Sequence, residues 1–211
     1  LRTVTGVSDV CSSDLPLAEG VLLLLFGEEC KRKENYLNLD KEYEVEILFG
    51  ISTDSYDALG IPMLHNATPI KMDLTKYIGK YKQTYPPYSS KTVSGISLHS
   101  LARMDSLPDE MPIKTVKIYS IELLENSSIE GDDLIDEVSA MIGKVKGDFR
   151  QKQILEKWNG IISGVKDRNF PIIRIKVFCS SGTYIRSLAH KIGINLGTGA
   201  FAFRIRRNKI L

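Results

Sequence analysis

The chain has 211 residues, of which 43% are hydrophobic and 26% charged, and its formal net charge is +2. This length and composition allow one substantial core. The longest apolar run, residues 21–26, is far shorter than the roughly 20 residues of a membrane-spanning helix, so we expect a cytosolic protein with no membrane partner. Cys11, Cys30 and Cys179 lack CxxC spacing, which argues against a disulfide framework and a thiolate metal site, and the histidines lack HxxxH spacing, so nothing suggests zinc.

Local patterns predict the following elements in chain order. Period-two alternation predicts strands at residues 42–49 and 172–178, and further strands are expected at 20–26 and 116–124. Turn residues predict loops at 54–65 and 84–90, and a short helix is expected at 97–103. Strands combined with sheet-packed helices, without regular βαβ alternation, predict an α+β domain built on a mixed sheet.

An excursion of about 45 residues, at about 126–170, separates the last two strands. Leu134 and Val138 begin one helical repeat, and Ile154 and Trp158 begin a second. We expect a helical hairpin packed on the sheet, and the alternative is an arm that contacts RNA.

Positive charge is concentrated near the C-terminal end. Residues 144–211 contain 15 Lys or Arg against three acids, whereas residues 1–143 contain 13 against 23. Because a phosphate backbone attracts Lys and Arg, this division favours a nucleic-acid-binding protein over a merely solvated basic surface. Alternation places Arg204 and Arg206 on one strand face and Ile205 on the other.

Arg186 occupies a position that helix physics disfavours. Apolar spacing predicts a helix over residues 185–196 that Gly197 ends and that Ser181 or Thr183 caps. Arg186 then lies in the first turn, where the positive end of the helix dipole makes a cation unfavourable by about 0.3 to 1 kcal/mol. We therefore expect Arg186 to have an anionic partner.

Several segments resemble one known family in the same order. The run CSSGTYIRSLAHKIG, which begins at Cys179, is similar to the signature of the TruB family of tRNA pseudouridine-55 synthases. Further similar segments are PLAEG at 16–20, DKEY at 40–43, TDSYD at 53–57, YPPYSSK at 85–91, GTGA at 197–200 and RR at 206–207. Each match alone is weak, but the ordered set is specific.

The resemblance implies a pseudouridine-synthase catalytic domain at residues 16–211 with a mixed, mainly antiparallel sheet. It implies that a uridine of the TΨC stem-loop of tRNA, at position 55, is flipped out and isomerised. The family's reaction uses an ionised aspartate and no metal, nucleotide or redox cofactor. We expect a monomer. Family members often carry a further RNA-binding domain after the closing basic segment, whereas this sequence stops at Leu211, either as a short form or as a cut chain, and we expect weaker binding of the tRNA body.

The resemblance places the catalytic aspartate directly before Pro16, where this chain has Leu15. The nearest acid, Asp14, is the candidate catalytic residue, and Arg186 would keep its carboxylate ionised. One step along an extended segment is about 3.3 Å and reverses the side chain, so Asp14 would be displaced. We expect residues 1–15 to be foreign to the domain or disordered; the alternative is a genuine variant that is catalytically impaired.

The resemblance also assigns substrate-binding roles. Tyr43 would stack on the target base, Tyr184 and Ile205 would contact the substrate, and Lys91 would contact a phosphate. Each has a structural alternative: Tyr43 and Ile205 could fill an apolar strand face, Tyr184 could pack at the helix start, and Lys91 could be solvated. Asp54 and Asp57 are expected to form turns rather than to catalyse.

Two other functions compete with catalysis. The displaced aspartate motivates a tRNA-binding or tRNA-folding protein without activity, and the basic segments alone would fit a structural module unrelated to RNA modification.

Overall fold

The computed structural model describes residues 16–65 and 72–211. The strands within these residues are β1 (Ala18–Gly20), β2 (Lys41–Phe49), β3 (Ile51–Thr53), β4 (Pro62–Leu64), β5 (Gly79–Thr84), β6 (Thr92–Val93), β7 (Ile96–Ser97), β8 (Ile113–Glu130), β9 (Asn169–Cys179) and β10 (Ala200–Ile210). The helices are α1 (Glu34–Leu37), α2 (Leu98–Arg103), α3 (Gly131–Lys144), α4 (Gln151–Ile162) and α5 (Ile185–Leu196), with 3₁₀ turns at Gly27–Arg32 and Leu74–Tyr77.

Six strands form the central sheet in the order β1-β10-β2-β9-β8-β5. β1 lies parallel to β10, and the other neighbours are antiparallel. Short hairpins join β3 to β4 and β6 to β7. The predicted α+β fold with a mixed, mainly antiparallel sheet is therefore confirmed.

Apolar clusters lie on both faces of the sheet. Alternation along β2 directs Val45, Ile47 and Phe49 into a cluster with the apolar side of α5. On the other face, Leu48 joins a cluster that contains the buried side chains of α3 and α4. Trp158 of α4 is fully buried and its indole donates to the carbonyl of Gly60 at 3.2 Å, so the helical excursion packs on the sheet and its adjoining loop.

Two predicted boundaries are wrong. Only Gly20 of the predicted strand 20–26 is in a strand, because Gly20 adopts φ 103° and the chain leaves β10 after the amide of Val21 donates to Arg207. The apolar side chains of Val21 and Phe26 are consequently exposed. β8 continues to Glu130, opposite Asn169 of β9, so the excursion begins later than residue 126.

None of the helices in the described residues is long and apolar enough to cross a membrane. Residues 1–15 lie outside the described residues, and the division of the chain into domains stays a prediction.

Candidate active site

Arg186 lies in the first turn of α5 and is 5% exposed. Its guanidinium lies 3.0 Å from Oδ2 of Asp57 and donates to the carbonyls of Ser55 and Tyr88, at 2.9 and 3.0 Å. The anionic partner expected from the helix dipole is thus present, and among the described residues it is Asp57.

Asp57 is buried on the loop between β3 and β4. Its Oδ1 accepts from the hydroxyl of Ser55 at 2.6 Å and from the amide of Leu59 at 2.9 Å, as expected of a turn-forming aspartate. Burial raises the pKa of Asp57, while the charge of Arg186 and these hydrogen bonds act in the opposite direction. The turn prediction is confirmed, but the sequence did not reveal that the same carboxylate pairs with Arg186.

The hydrogen bonds at the start of α5 differ from those predicted. The hydroxyl of Ser181 donates to the carbonyl of Leu37 and that of Thr183 to the carbonyl of Ser180, so neither caps the helix. Instead, buried Gln83 of β5 accepts from the amide of Tyr184 at 2.8 Å and donates to its carbonyl at 3.0 Å. Local capping rules missed this contact because its two residues are 101 positions apart.

Tyr184 and Lys91 both contact Tyr85. The rings of Tyr184 and Tyr85 meet edge to face with centroids 5.3 Å apart, and Nζ of Lys91 lies 5.6 Å from the Tyr85 centroid. Lys91 is exposed and Tyr184 half-buried. The structure therefore places these two predicted substrate-binding residues next to one aromatic ring, Tyr85, for which the sequence suggested no role of its own.

Tyr43 and Ile205 lie on the core side of the sheet. Tyr43 is half-buried against the cluster under α5, and burial raises the pKa of its hydroxyl. Ile205 is 6% exposed and lies opposite Val45. Both side chains therefore pack on an apolar strand face, which was the structural alternative for each of them. Their contacts with the substrate stay predictions.

A cavity of about 280 Å³ adjoins the buried ion pair. The described residues that line it are Pro16, Ser55, Asp57, Leu59, Tyr88, Ser89, Ser90, His99, Arg103, Asp148, Phe149, Arg150 and Arg186. Tyr43, Tyr184 and Lys91 are not among them. The turn between α3 and α4 therefore forms one wall of the cavity that Arg186 faces.

Pro16 connects this cavity with a second one. The second cavity, of about 420 Å³, is lined by Pro16, Ile205, Arg204 and other residues of β1, β2, β10 and α3. Asp14 and Leu15 lie outside the described residues, so the structure does not place the candidate nucleophile. Pro16, two residues after Asp14, lines both the cavity of Arg186 and that of Ile205. Within the described ranges, no three His, Cys, Asp or Glu side chains group as metal ligands.

The basic charge of the C-terminal third is partly neutralised in the fold. Arg204 pairs with Glu46 and Glu137, and Arg174 with Glu125. Register brings these basic strands beside acidic ones, so a net charge counted along the sequence overstates the free positive surface. The predicted alternation is confirmed, because Arg204 and Arg206 are exposed and Ile205 is buried.

The chain folds as an α+β domain with a buried ion pair beside a cavity, and sequence comparison gives its family. The model of the TruB family pseudouridylate synthase (N terminal domain) matches residues 14–147, which is more than half of the chain. The chain belongs to the TruB family.

Curated relatives agree with this assignment. The tRNA pseudouridine synthase B of Xanthomonas oryzae pv. oryzae (strain MAFF 311018) is 31% identical over 198 residues, which cover 91% of this chain and 50% of the relative. The protein of the same name from Francisella tularensis subsp. holarctica (strain LVS) is 32% identical over 202 residues, covering 92% and 52%. The chain thus spans about half the length of the curated relatives it matches.

Solved structures that match this chain include a Cbf5-Nop10-Gar1 complex, at 20% identity and a TM-score of 0.48 over 92% of this chain and 37% of that one. An H/ACA RNP bound to a substrate RNA containing 2'-deoxyuridine matches at 19% identity and a TM-score of 0.49, covering 97% and 39%.

Proposed function

We propose that this protein isomerises a uridine of tRNA, at position 55 in the TΨC loop, to pseudouridine. Membership of the TruB family supports the reaction class. The observation that carries the proposal is the placement of Arg186, which is fixed by Asp57 beside a cavity that Pro16 also lines. Pro16 follows the position at which the family carries its catalytic aspartate.

In this proposal the target nucleotide is flipped out of the loop into the site. A carboxylate from the segment before Pro16 acts at the ribose and base while the N-glycosidic bond breaks, the uracil turns, and a carbon of the ring rejoins the ribose. The substrate and product are isomers, so the reaction consumes no oxidant or reductant. The positive charge of Arg186 favours the ionised form of a carboxylate that approaches it.

The remaining roles follow from the predicted site. Tyr43, Tyr184 and Ile205 would contact the flipped nucleotide, and exposed Lys91 would contact a phosphate. We further propose that the protein acts in the cytoplasm, which the assignment of a tRNA substrate supports, and that it is a monomer.

The proposal is tested with an unmodified tRNA transcript. We expect pseudouridine in the TΨC loop, detected as a carbodiimide-dependent stop in primer extension, and no stop in the same tRNA with cytidine at position 55. A transcript that is bound but never modified would count against catalysis by this chain.

Leu15 before Pro16 specifically favours a second candidate, a tRNA-binding or tRNA-folding protein that does not catalyse. Leu15→Asp distinguishes the two. If displacement of the acid is the defect, L15D modifies the transcript at least tenfold faster than the parent, because misplacement by ~1 Å costs on the order of a hundredfold in rate. Asp14→Asn is the matched control, since it abolishes parent activity only if Asp14 is the nucleophile.

A further inference from the structure

The turn between α3 and α4 presents an exposed aromatic ring to the candidate active-site cavity. Phe149 is 43% exposed, lines the same cavity as Arg186, and belongs to neither of the two core clusters. Burial of a phenylalanine side chain would normally stabilise the fold, so a ring left accessible beside a functional site is a candidate binding surface.

Contacts on both sides of Phe149 tie this turn to the site. Asp148 pairs with Arg103 of α2. On the other side, Nη1 of Arg150 lies 3.0 Å from Oδ2 of Asp54, and its guanidinium lies 4.4 Å from the centroid of the Tyr88 ring. The turn is therefore attached to α2 and to the loop that carries the partner of Arg186.

The backbone of the turn is also constrained. Arg150 has φ 61°, which is uncommon for a residue other than glycine, and Gly147 has φ 94°. The amide of Phe149 donates to Oε1 of Gln151 at 2.9 Å. A ring carried on such a segment loses little conformational freedom when a ligand stacks on it.

The side-chain types in the cavity suit an RNA ligand. Three lining residues are arginines, Arg103, Arg150 and Arg186, and they pair with Asp148, Asp54 and Asp57, respectively. Planar guanidinium groups and an aromatic ring are the features that hold unpaired nucleotides by backbone charge and base stacking.

We propose that Phe149 is a stacking platform for an unpaired base of the RNA substrate that neighbours the isomerised uridine. The inference rests on the proposed function. A neighbouring base is favoured over the target because the residues assigned to the target, Tyr43 and Tyr184, do not line this cavity. The α3–α4 excursion thereby packs on the sheet and contributes to RNA recognition at its turn.

The test is binding of a TΨC stem-loop transcript to variants at Phe149. Phe149→Ala should raise Kd and KM about tenfold to a hundredfold and leave kcat nearly unchanged, because one base loses its stacking partner. Phe149→Tyr should bind as the parent, whereas Phe149→Leu, which keeps apolar volume without a ring, should behave like the alanine variant. Phe26→Ala is the matched control, since Phe26 is 54% exposed and does not line the cavity.

A second readout reports stacking directly. Phe149→Trp adds an accessible indole to a chain whose single tryptophan, Trp158, is fully buried. Emission of the added indole should be quenched on titration with the stem-loop, and unchanged Trp158 emission in the parent provides the baseline and a check of folding.

The outcomes separate the two proposals. Equal affinity of the parent, F149A and F149L overturns the stacking role while leaving the proposed function intact. If the parent binds the RNA but does not modify it, only the proposed catalysis is contradicted. The stacking role is then still tested by comparing the affinities of the parent and the Phe149 variants. A parent with no affinity for the stem-loop overturns both.

Discussion

The guanidinium of Arg186 and the carboxylate of Asp57 approach to 3.0 Å, and the side chains are only 6% and 3% exposed. Both charges are thus removed from water, and each depends on the other. The pair also joins α5 to the loop after β3, two elements that are distant in sequence.

Removing one charge of this pair should destabilise the fold strongly. Asp57→Asn leaves a buried guanidinium without its counter-ion, and we expect the free energy of unfolding to fall by about 3 to 5 kcal/mol. Urea denaturation followed by Trp158 fluorescence measures this change. Glu28→Gln removes an exposed pair with Lys31 and should have almost no effect. A D57N variant as stable as the parent would show that Asp57 is not required to neutralise Arg186.

Gln83 should position Tyr184. In Gln83→Leu, the amide of Tyr184 loses its partner and the carbonyl of Tyr184 keeps only the amide of Leu188, so we expect a loss of about 2 kcal/mol in stability. If Tyr184 contacts the substrate, kcat/KM for pseudouridine formation should fall as well. Gln153→Leu, on the exposed side of α4, is the control for the loss of an amide side chain. An unchanged kcat/KM in Q83L at a temperature where the variant is folded would contradict the positioning role.

His190 should make stability depend on pH. Its ring stacks on Tyr56 with centroids 3.8 Å apart, and burial, with a smaller effect from His65, lowers its pKa below the usual 6.5. The unfolded chain then binds the proton first, so this residue's contribution to stability is present above about pH 6.5 and is lost as the pH falls towards the lowered native pKa. His190→Phe retains a ring but does not titrate, and should therefore lose less stability than the parent between pH 7.5 and 5.5 in urea denaturation. Parallel pH profiles would exclude His190 as a contributor.

Two helical glycines should respond oppositely to alanine. A Cβ at Gly193 of α5 would lie 2.3 Å from the amide nitrogen of Ala200 in β10, which is backbone and cannot rotate away. Gly193→Ala should therefore destabilise the protein by about 1 to 3 kcal/mol. At Gly160 of α4 the Cβ meets no atom within 4 Å, so Gly160→Ala should stabilise by up to about 1 kcal/mol. Thermal unfolding of the two variants would measure the contrast, and similar Tm shifts would contradict the close packing of α5 on β10.

The features that the sequence predicted correctly depend on local patterns. Period-two alternation predicted β2 and most of β9, and apolar spacing predicted α5 and its end at Gly197. Gly197 adopts φ 68°, as is common for a glycine that ends a helix. The position of Arg186 predicted an anionic partner because the helix dipole is also a local property.

The identity of each partner was not predictable in the same way. Asp57 lies 129 residues from Arg186, and Gln83 lies 101 from Tyr184. The pairing of Arg204 with Glu46 depends on the register between β10 and β2. Such contacts depend on how the strands assemble, and no residue spacing in a single sequence predicts that assembly. The role of Phe149 likewise depends on where the turn after α3 lies in space.

The pairing of β1 with β10 has a consequence for the order of events in the cell. Ala18 lies opposite Ile205, and Gly20 opposite Arg207, so β1, which follows Pro16, pairs with β10, the strand of the sheet that comes latest in the sequence. In a nascent chain that has emerged only as far as α5, β10 is not yet available to pair with β1. β1, which follows Pro16, can therefore pair only after the residues of β10 have left the ribosome. In an interrupted translation product that lacks β10, we expect β1 to remain without its partner strand.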